Sequence, residues 1–290
     1  MKGIITKLIG GKYTVTSKDF VQHVITPRGK FRFQNISPKV GDRVEYNEDL
    51  ITKVYERKND LYRPMICNVD QVILINSAKE PDFSPNLLDR FLLLIEYNQV
   101  LPVIVITKID LLTDEELKTL KNKVKYYEQY YDVYYVSSKT KENVTAIKEL
   151  FNDKISVFSG QTGAGKSSLL NAIDKDLNIK TQEISKALGR GKHTTRHTEL
   201  IRIFNGYVAD TPGFSKLEFV DFDKDIVREN FVDFFEHSHE CKYRGCSHIN
   251  EPGCKVKELV EKKEIPRFRY QNYLQIIEEI ESTKKKYRSD

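Results

Sequence analysis

The run Gly160-Gln161-Thr162-Gly163-Ala164-Gly165-Lys166-Ser167 constrains this chain more than any other feature of it. It is a full match to the Walker A pattern, preceded by the strand-like Ile155 to Phe158 and followed by the helical Ser168-Leu169-Leu170-Asn171-Ala172-Ile173. With average residue frequencies the pattern arises by chance in a chain this long with a probability of about 0.01, before the flanking strand and helix are required. Glycines let the backbone curl so that consecutive N–H groups point inward at a phosphate, and the helix N-terminus adds the positive end of its dipole. Lys166 would then reach the β- and γ-phosphates, Ser167 would ligate magnesium, and Ser168 would close the nucleotide-binding run. The loop alone does not decide between ATP and GTP.

The residues around the loop repeat its layout. Val69 to Asn76, Val100 to Ile106, Val133 to Val136 and Ile155 to Phe158 read as buried strands. Between them Asn86 to Tyr97, Asp114 to Tyr127 and Asn143 to Phe151 read as helices. Near-continuous apolar strands alternating with helices imply a parallel sheet covered on both faces.

Two short segments bear on the base. The strand ending at Ile106 runs into Thr107-Lys108-Ile109-Asp110, similar to the Asn-Lys-x-Asp motif of guanine specificity. A carboxylate at Asp110 can accept from the N1–H and the N2 amine of guanine together, a pair that adenine lacks, and Lys108 would lay its stem against the ring. Thr107 replaces the usual Asn, which removes an amide that braces the loop and contacts the base; moderate guanine affinity is the expected result. Downstream, Ser137-Ser138-Lys139 follows a strand and is similar to the Ser-Ala-Lys element that contacts the guanine carbonyl. Each match is weak alone, and their order makes them corroborate one another.

Asp210-Thr211-Pro212-Gly213 follows the apolar Tyr207-Val208-Ala209 and is similar to the Asp-x-x-Gly sensor of the γ-phosphate. Asp210 would hold magnesium and the Gly213 N–H would contact the γ-phosphate. Between loop and sensor lies the polar segment Gly189 to Thr198, carrying Thr194 and Thr195. One of these would be the switch ligand to magnesium; Thr195 is preferred, although spacing alone does not separate the two. Ordinary GTPases place the phosphate loop first and the base motif roughly a hundred residues later, so here every part is present in rotated order. Domain termini often lie close together, so joining the old ends and opening a new loop keeps every contact. The mechanical consequence is that the sensor leads directly into the C-terminal domain.

Two further units flank this core. Residues 2–58 hold about five short β-branched or alternating runs (Gly3 to Ile9, Tyr13 to Ser17, His23 to Thr26, Arg43 to Tyr46, Ile51 to Val54) separated by turn residues. This pattern suits a small β-barrel of the oligonucleotide-binding or SH3-like kind. Residues 1–60 contain 12 Lys/Arg against 7 Asp/Glu, which equals the whole net charge of +5. Lys12, Arg28, Lys30 and Arg32, interleaved with Phe31 and Phe33, are what a phosphate-tracking, base-stacking face needs; the two Phe would serve equally as core. After about residue 215 the sheet pattern ends and a charged tail begins, helical over Pro266 to Glu281. The expected division is residues 1–66 for the barrel, 67–217 for the nucleotide domain and 218–290 for a small, mostly helical third domain.

Within that third domain Cys241, Cys246, His248 and Cys254 form C-x4-C-x-H-x5-C, four soft or borderline ligands within 14 residues. One tetrahedral zinc ion is the natural match, and with no open position its role would be structural. His237 and His239 lie close enough to compete for the fourth place. Cys67 stands apart and reads as a core thiol. No apolar run approaches the roughly 20 residues of a membrane span, and the N-terminus lacks a secretory signal, so a cytoplasmic protein is expected.

Taken together, a small N-terminal barrel, a permuted GTPase and a C-terminal module with three cysteines and one histidine resemble the ribosome small subunit-dependent GTPase A family of bacteria over essentially the whole chain. The motif order, Gly189-Arg190-Gly191-Lys192-His193-Thr194-Thr195, Asp210-Thr211-Pro212-Gly213-Phe214 and the Cys/His spacing carry the likeness. The resemblance implies an oligonucleotide-binding barrel and a monomeric GTP hydrolase that uses magnesium. It also implies that the protein binds the small ribosomal subunit and its rRNA late in maturation, turns over faster when bound, and then leaves. Many GTPases orient the attacking water with a Gln after the sensor glycine; Phe214 stands there and cannot. His193, just before the switch threonines, is the candidate for that role, in concert with Lys166 and Thr195.

Overall fold

Along the described N-terminal strands, apolar side chains recur on one face and pack inward, and the strands close on themselves. A computed structural model describes residues 1–27, 37–61, 65–174, 199–209, 219 and 222–288. Strands β1 (Lys2–Ile9), β2 (Lys12–Ser17), β3 (Gln22–Pro27), β4 (Arg43–Tyr46) and β5 (Leu50–Val54) form a closed barrel in the order β1-β2-β3-β5-β4. Ile5, Val15, Ile25, Val44, Tyr46 and Ile51 fill it, each at most 2% exposed. β5 rather than β4 sits beside β3, and runs parallel to it. That Greek-key order is the oligonucleotide-binding type of barrel and decides between the two kinds the sequence left open. Lys12 opens β2 and is exposed; Arg28, Lys30, Phe31, Arg32 and Phe33 lie outside the described residues.

Among the described residues the central sheet has six strands: β6 (Gln71–Ser77), β7 (Leu101–Thr107), β8 (Asp132–Tyr135), β9 (Ile155–Gly160), β10 (Leu200–Ile203) and β11 (Gly206–Ala209). Their order is β10-β11-β9-β6-β7-β8. Five run parallel; β10 returns antiparallel from β11 and forms one edge, a strand that its short alternating sequence did not announce. The two faces divide by the period of two. Ile73, Ile75, Val103, Val105 and Phe158 pack under helices α3 (Val144–Glu149) and α4 (Lys166–Ile173), while Leu74, Ile104, Ile106 and Val157 face the opposite way. On that second side lie α1 (Pro85–Tyr97), N-capped by Ser84, and α2 (Asp114–Val124), opened by a full Thr113–Glu116 capping box. No helix among the described residues is long and apolar enough to cross a membrane.

Helix α2 ends at Val124, short of the Tyr127 expected from periodicity. The cause is tertiary. Tyr126 and Tyr127 turn inward, donating to Asp233 (2.7 Å) and Asp89 (2.6 Å). These carboxylates flank Arg269, which is 2% exposed and donates to Asp89 Oδ1 at 2.6 Å and to both oxygens of Asp233. Asn272 donates to the second oxygen of Asp89 at 2.6 Å.

Asp89 belongs to α1, whereas Asp233 and Arg269 come from the C-terminal helices α6 (Val232–His237) and α8 (Arg267–Arg288), which with α5 (Lys224–Asn230) and α7 (Lys255–Glu261) make up the tail. The tail is thus fastened to the sheet through buried charge. Removing one member of such a network costs about 3–5 kcal/mol, because the remaining charges stay buried and unpaired.

Candidate nucleotide site and metal cluster

β6, β7, β8, β9 and β11 deliver their carboxyl ends to one edge of the sheet. β9 lies between β6 and β11, so its outgoing loop emerges at a crossover of chain order, where α/β sheets bind ligands. Gly160 ends β9 with φ +135°, and a Cβ there would fall 2.0 Å from the carbonyl oxygen of Ile75, so the loop needs glycine to turn past β6. Gly165, at φ +88°, caps α4, which begins at Lys166. Residues Gly160 to Gly163 and Gly165 to Ser168, together with Lys108, line a concave site of about 500 Å³. A larger cleft of about 750 Å³ opens between the barrel and the β10–β11 hairpin. Its lining sets Lys2, Lys18, Arg43 and Lys154 against Glu56, Asp70 and Asp153 and carries no phosphate loop, so it is not the nucleotide site.

The two base segments meet each other and the phosphate loop. Ser137, fully buried, donates from Oγ to Asp110 Oδ1 at 2.6 Å and accepts from the Thr140 N–H at 3.0 Å. One carboxylate oxygen of exposed Asp110 is thereby oriented, and the other is turned to neither partner. Ser138 is half-buried and Lys139 exposed beside it.

Thr107, 1% exposed, lies with Oγ1 2.5 Å from the carbonyl oxygen of Ala164 and 3.2 Å from that of Asn76. Its single proton goes to the nearer acceptor, inside the phosphate loop. The amide's loop-bracing task, expected to vanish with Asn, is therefore taken over by the hydroxyl. Lys108 adopts φ +60°, passes 3.8 Å from a Cβ built on Gly165, and donates from Nζ to the carbonyl of Glu80. The Glu80–Pro81 turn after β6 was not singled out from the sequence; no motif marks it. Asp210, Gly213, His193, Thr194, Thr195 and Phe214 lie outside the described residues, though β11 pairs with β9 through Ala209, the residue before Asp210.

Beyond α6 the side chains of Cys241, Cys246, His248 and Cys254 place one ligand atom each within 4.8 Å of one another, in a group that could hold a metal ion. His248 Nδ1 stands 3.4 Å from Cys254 Sγ and 3.7 Å from Cys241 Sγ. Burial holds His248 down to about 4, so it is a neutral imidazole at ordinary pH and ready to donate a lone pair. Burial also pushes the Cys246 thiol up to about 12 and raises that of Cys254, so a cation is needed to hold these sulfurs as thiolates. Of the expected competitors, His237 is engaged by Glu240 at 3.0 Å, and His239 is not part of the group. Cys67 is a buried thiol as expected, though not in an apolar setting: it sits 3.1 Å from Asp42 Oδ1, beneath the Arg57–Asp42 ion pair.

Comparison with known proteins agrees with this geometry. Residues 54–220 match the family profile described as RsgA GTPase, and residues 2–55 that described as RsgA N-terminal domain. The chain is 49% identical over 292 residues to the Small ribosomal subunit biogenesis GTPase RsgA 2 of Oceanobacillus iheyensis, covering 99% of each chain. To the Small ribosomal subunit biogenesis GTPase RsgA of Bacillus subtilis it is 47% identical, covering 98% of each. Among solved structures it is similar to YloQ, described as a circularly permuted GTPase, with 41% identity, a TM-score of 0.83 and coverage of 97% of this chain and 95% of that one. It is also similar to YjeQ from Thermotoga maritima, with 37% identity, a TM-score of 0.83 and coverage of 96% and 97%. With the base segments and the phosphate loop gathered at one sheet edge, a barrel ahead of them and a Cys3His cluster behind, the chain belongs to the RsgA family of circularly permuted GTPases.

Proposed function

We propose that this GTPase acts in late maturation of the small ribosomal subunit, as a cytoplasmic monomer that binds the subunit and its rRNA and hydrolyses GTP to GDP faster when bound. The observation that carries the GTP half is the convergence of Asp110, held by Ser137, and the phosphate loop, held by Thr107, on one site. The ribosomal half is supported by the names of relatives that match this chain from end to end.

Guanine is read by Asp110, with Lys108 along the ring and the Ser137-Ser138-Lys139 turn on its far side. Residues 160–168 cradle the phosphates, and Lys166 neutralises charge on the β- and γ-oxygens. Magnesium is held by Ser167, Thr195 and Asp210, and the Gly213 N–H senses the γ-phosphate. The division into residues 1–66, 67–217 and 218–290 serves this reading, with the outer two as RNA-facing units. The metal of the third unit is zinc, in a structural role. Ligand lengths of about 2.3 Å to sulfur and about 2.05 Å to nitrogen give tetrahedral S···N edges of about 3.6 Å, and the two measured edges are 3.4 and 3.7 Å.

Thr107 supplies a first test. Thr107→Val should weaken GTP and GDP about tenfold, as expected when a buried carbonyl loses its donor, while Thr107→Ser restores binding. Fluorescent-nucleotide titration measures this; equal affinities for Val and wild type would remove the brace.

His193 is the residue proposed to position the attacking water. His193→Ala should keep nucleotide binding and lose turnover in the presence of small subunits. Stimulated rates equal to those of wild type would take His193 out of the mechanism. A nucleotide-stabilised scaffold would show no single turnover at all, and an ATPase would prefer ATP in competition.

A further inference from the structure

The β10–β11 hairpin is tied to the N-terminal barrel by contacts that neither the barrel's own core nor the nucleotide loop requires. Lys7 of β1 forms an isolated antiparallel bridge with Glu199, and its Nζ lies 2.9 Å from Glu199 Oε2. β1 breaks its register with β2 between Ile5 and Lys7, and such a bulge re-aims the side chains beside it.

Phe20, in the turn between β2 and β3, adopts φ +61°. A bulky residue reaches the left-handed region at a cost of roughly 1–2 kcal/mol, and such outliers persist where surrounding contacts over-determine them. Here the Phe20 ring lies under the Arg202 guanidinium at 3.5 Å and 6.2 Å from the ring of Tyr207. Tyr207 and Thr16 line the same cleft between barrel and hairpin, and Thr16 Oγ1 meets that of Thr6 at 2.9 Å inside the barrel. Three ties therefore reach Glu199, Arg202 and Tyr207.

The hairpin's position in the chain gives these ties their consequence. It begins one residue after Glu199, which lies just beyond the segment with Thr194 and Thr195, and its last residue, Ala209, precedes Asp210. It pairs with β9 from Tyr207 opposite Ile155 to Ala209 opposite Val157. The same flank is extended by the residue before β9, where Tyr207 N–H donates to the Lys154 carbonyl at 2.8 Å. The hairpin is thus clamped between the phosphate-loop strand and the barrel.

We propose that Phe20 and Lys7 are positioning residues for GTP hydrolysis: through Arg202, Tyr207 and Glu199 they fix the hairpin from which both magnesium-side segments depart. The proposal rests on the reading of Thr195 and Asp210 as the magnesium ligands. Phosphoryl transfer is sensitive to displacements near 1 Å, whereas GDP binding through the base and the phosphate loop is not carried by these segments. Movement of the barrel, the unit with the basic excess, would accordingly be transmitted to the chemistry without passing through the nucleotide.

The test is single-turnover GTP hydrolysis by the full chain with magnesium, alongside GDP titration. Phe20→Ala should lower the rate about tenfold with GDP affinity unchanged, and Phe20→Tyr, which keeps a ring under Arg202, should restore it. Val24→Ala on an exposed part of the barrel should change neither.

Lys7→Glu should slow turnover about threefold, the scale of an exposed ion pair, and Lys7→Glu with Glu199→Lys should recover it; this pair decides the matter if Phe20→Ala does not fold. Loss of GDP binding in step with the rate, or charge reversal without rescue, would overturn the proposal. Asp210→Ala separates the two layers. If it stays active, the magnesium reading falls and the proposal with it; if it is inactive while Phe20→Ala and Lys7→Glu are unimpaired, the proposal alone falls.

Discussion

Lys166→Ala should leave a folded protein whose single-turnover GTP hydrolysis is slower by about 10²–10³-fold, the usual loss when one preorganised donor to a developing negative charge is removed. Lys166 is the first residue of α4, directly after Gly165 at φ +88°, so its backbone sits where the loop delivers consecutive N–H groups and the helix its positive end. Alanine keeps that backbone and deletes only the ammonium. The transferred phosphoryl group has little covalent help from protein, so charge stabilisation is most of what the site can supply. Rapid-quench measurement of γ-phosphate release checks this. A rate within about threefold of wild type would mean that the loop holds nucleotide without catalysing.

A second large effect should fall on the base. Ser137 donates to Oδ1 of Asp110 at 2.6 Å and fixes which carboxylate oxygen faces inward. In Asp110→Asn the amide oxygen can take over that bond, which leaves the NH2 group where a second acceptor stood. An amine donor there repels the N2 amine of guanine and matches the carbonyl that xanthine carries at the same place. With two charge-assisted hydrogen bonds at stake, GTP affinity should drop by about 10²–10³-fold and xanthosine triphosphate should become the preferred ligand. Competition titration with both nucleotides measures it; unchanged preference would contradict the assignment of Asp110.

Both residues are legible in the sequence because they sit where local chemistry dominates. β6, β7 and β9 are largely β-branched and apolar runs, so a covered parallel sheet buries them, and the glycine loop between β9 and α4 carries its own backbone requirement. The Cys/His spacing was equally local. What stayed hidden depends on residues far apart in sequence.

Asp89, Asp233 and Arg269 look like solvated charges in the sequence, and they become a buried network only when α1 meets α6 and α8. The same network draws in Tyr126 and Tyr127 and shortens α2, so a periodic stretch passes from α-helix into a 3-10 turn over Tyr127–Gln129 for a tertiary reason. Thr107 read as a deficit until Ala164, 57 positions later, turned out to be its acceptor. Leu200–Ile203 is only four residues long and interrupted by Arg202; it is a strand because β11 offers it an edge.

These hidden contacts also alter the mechanical picture drawn from motif order. Permutation sends the chain from the γ-phosphate sensor straight toward the metal-binding tail. That tail is also bolted to α1 through Arg269, and the barrel grips the hairpin on the sensor's other side. A GTP-dependent rearrangement would have to work against both fastenings.

The most direct measurement of that account is GTP hydrolysis by the full chain, alone and with increasing concentrations of purified small ribosomal subunits. A slow intrinsic rate that climbs and saturates as subunits are added, with no rise for ATP, is the predicted result. A rate indifferent to the subunits would contradict it.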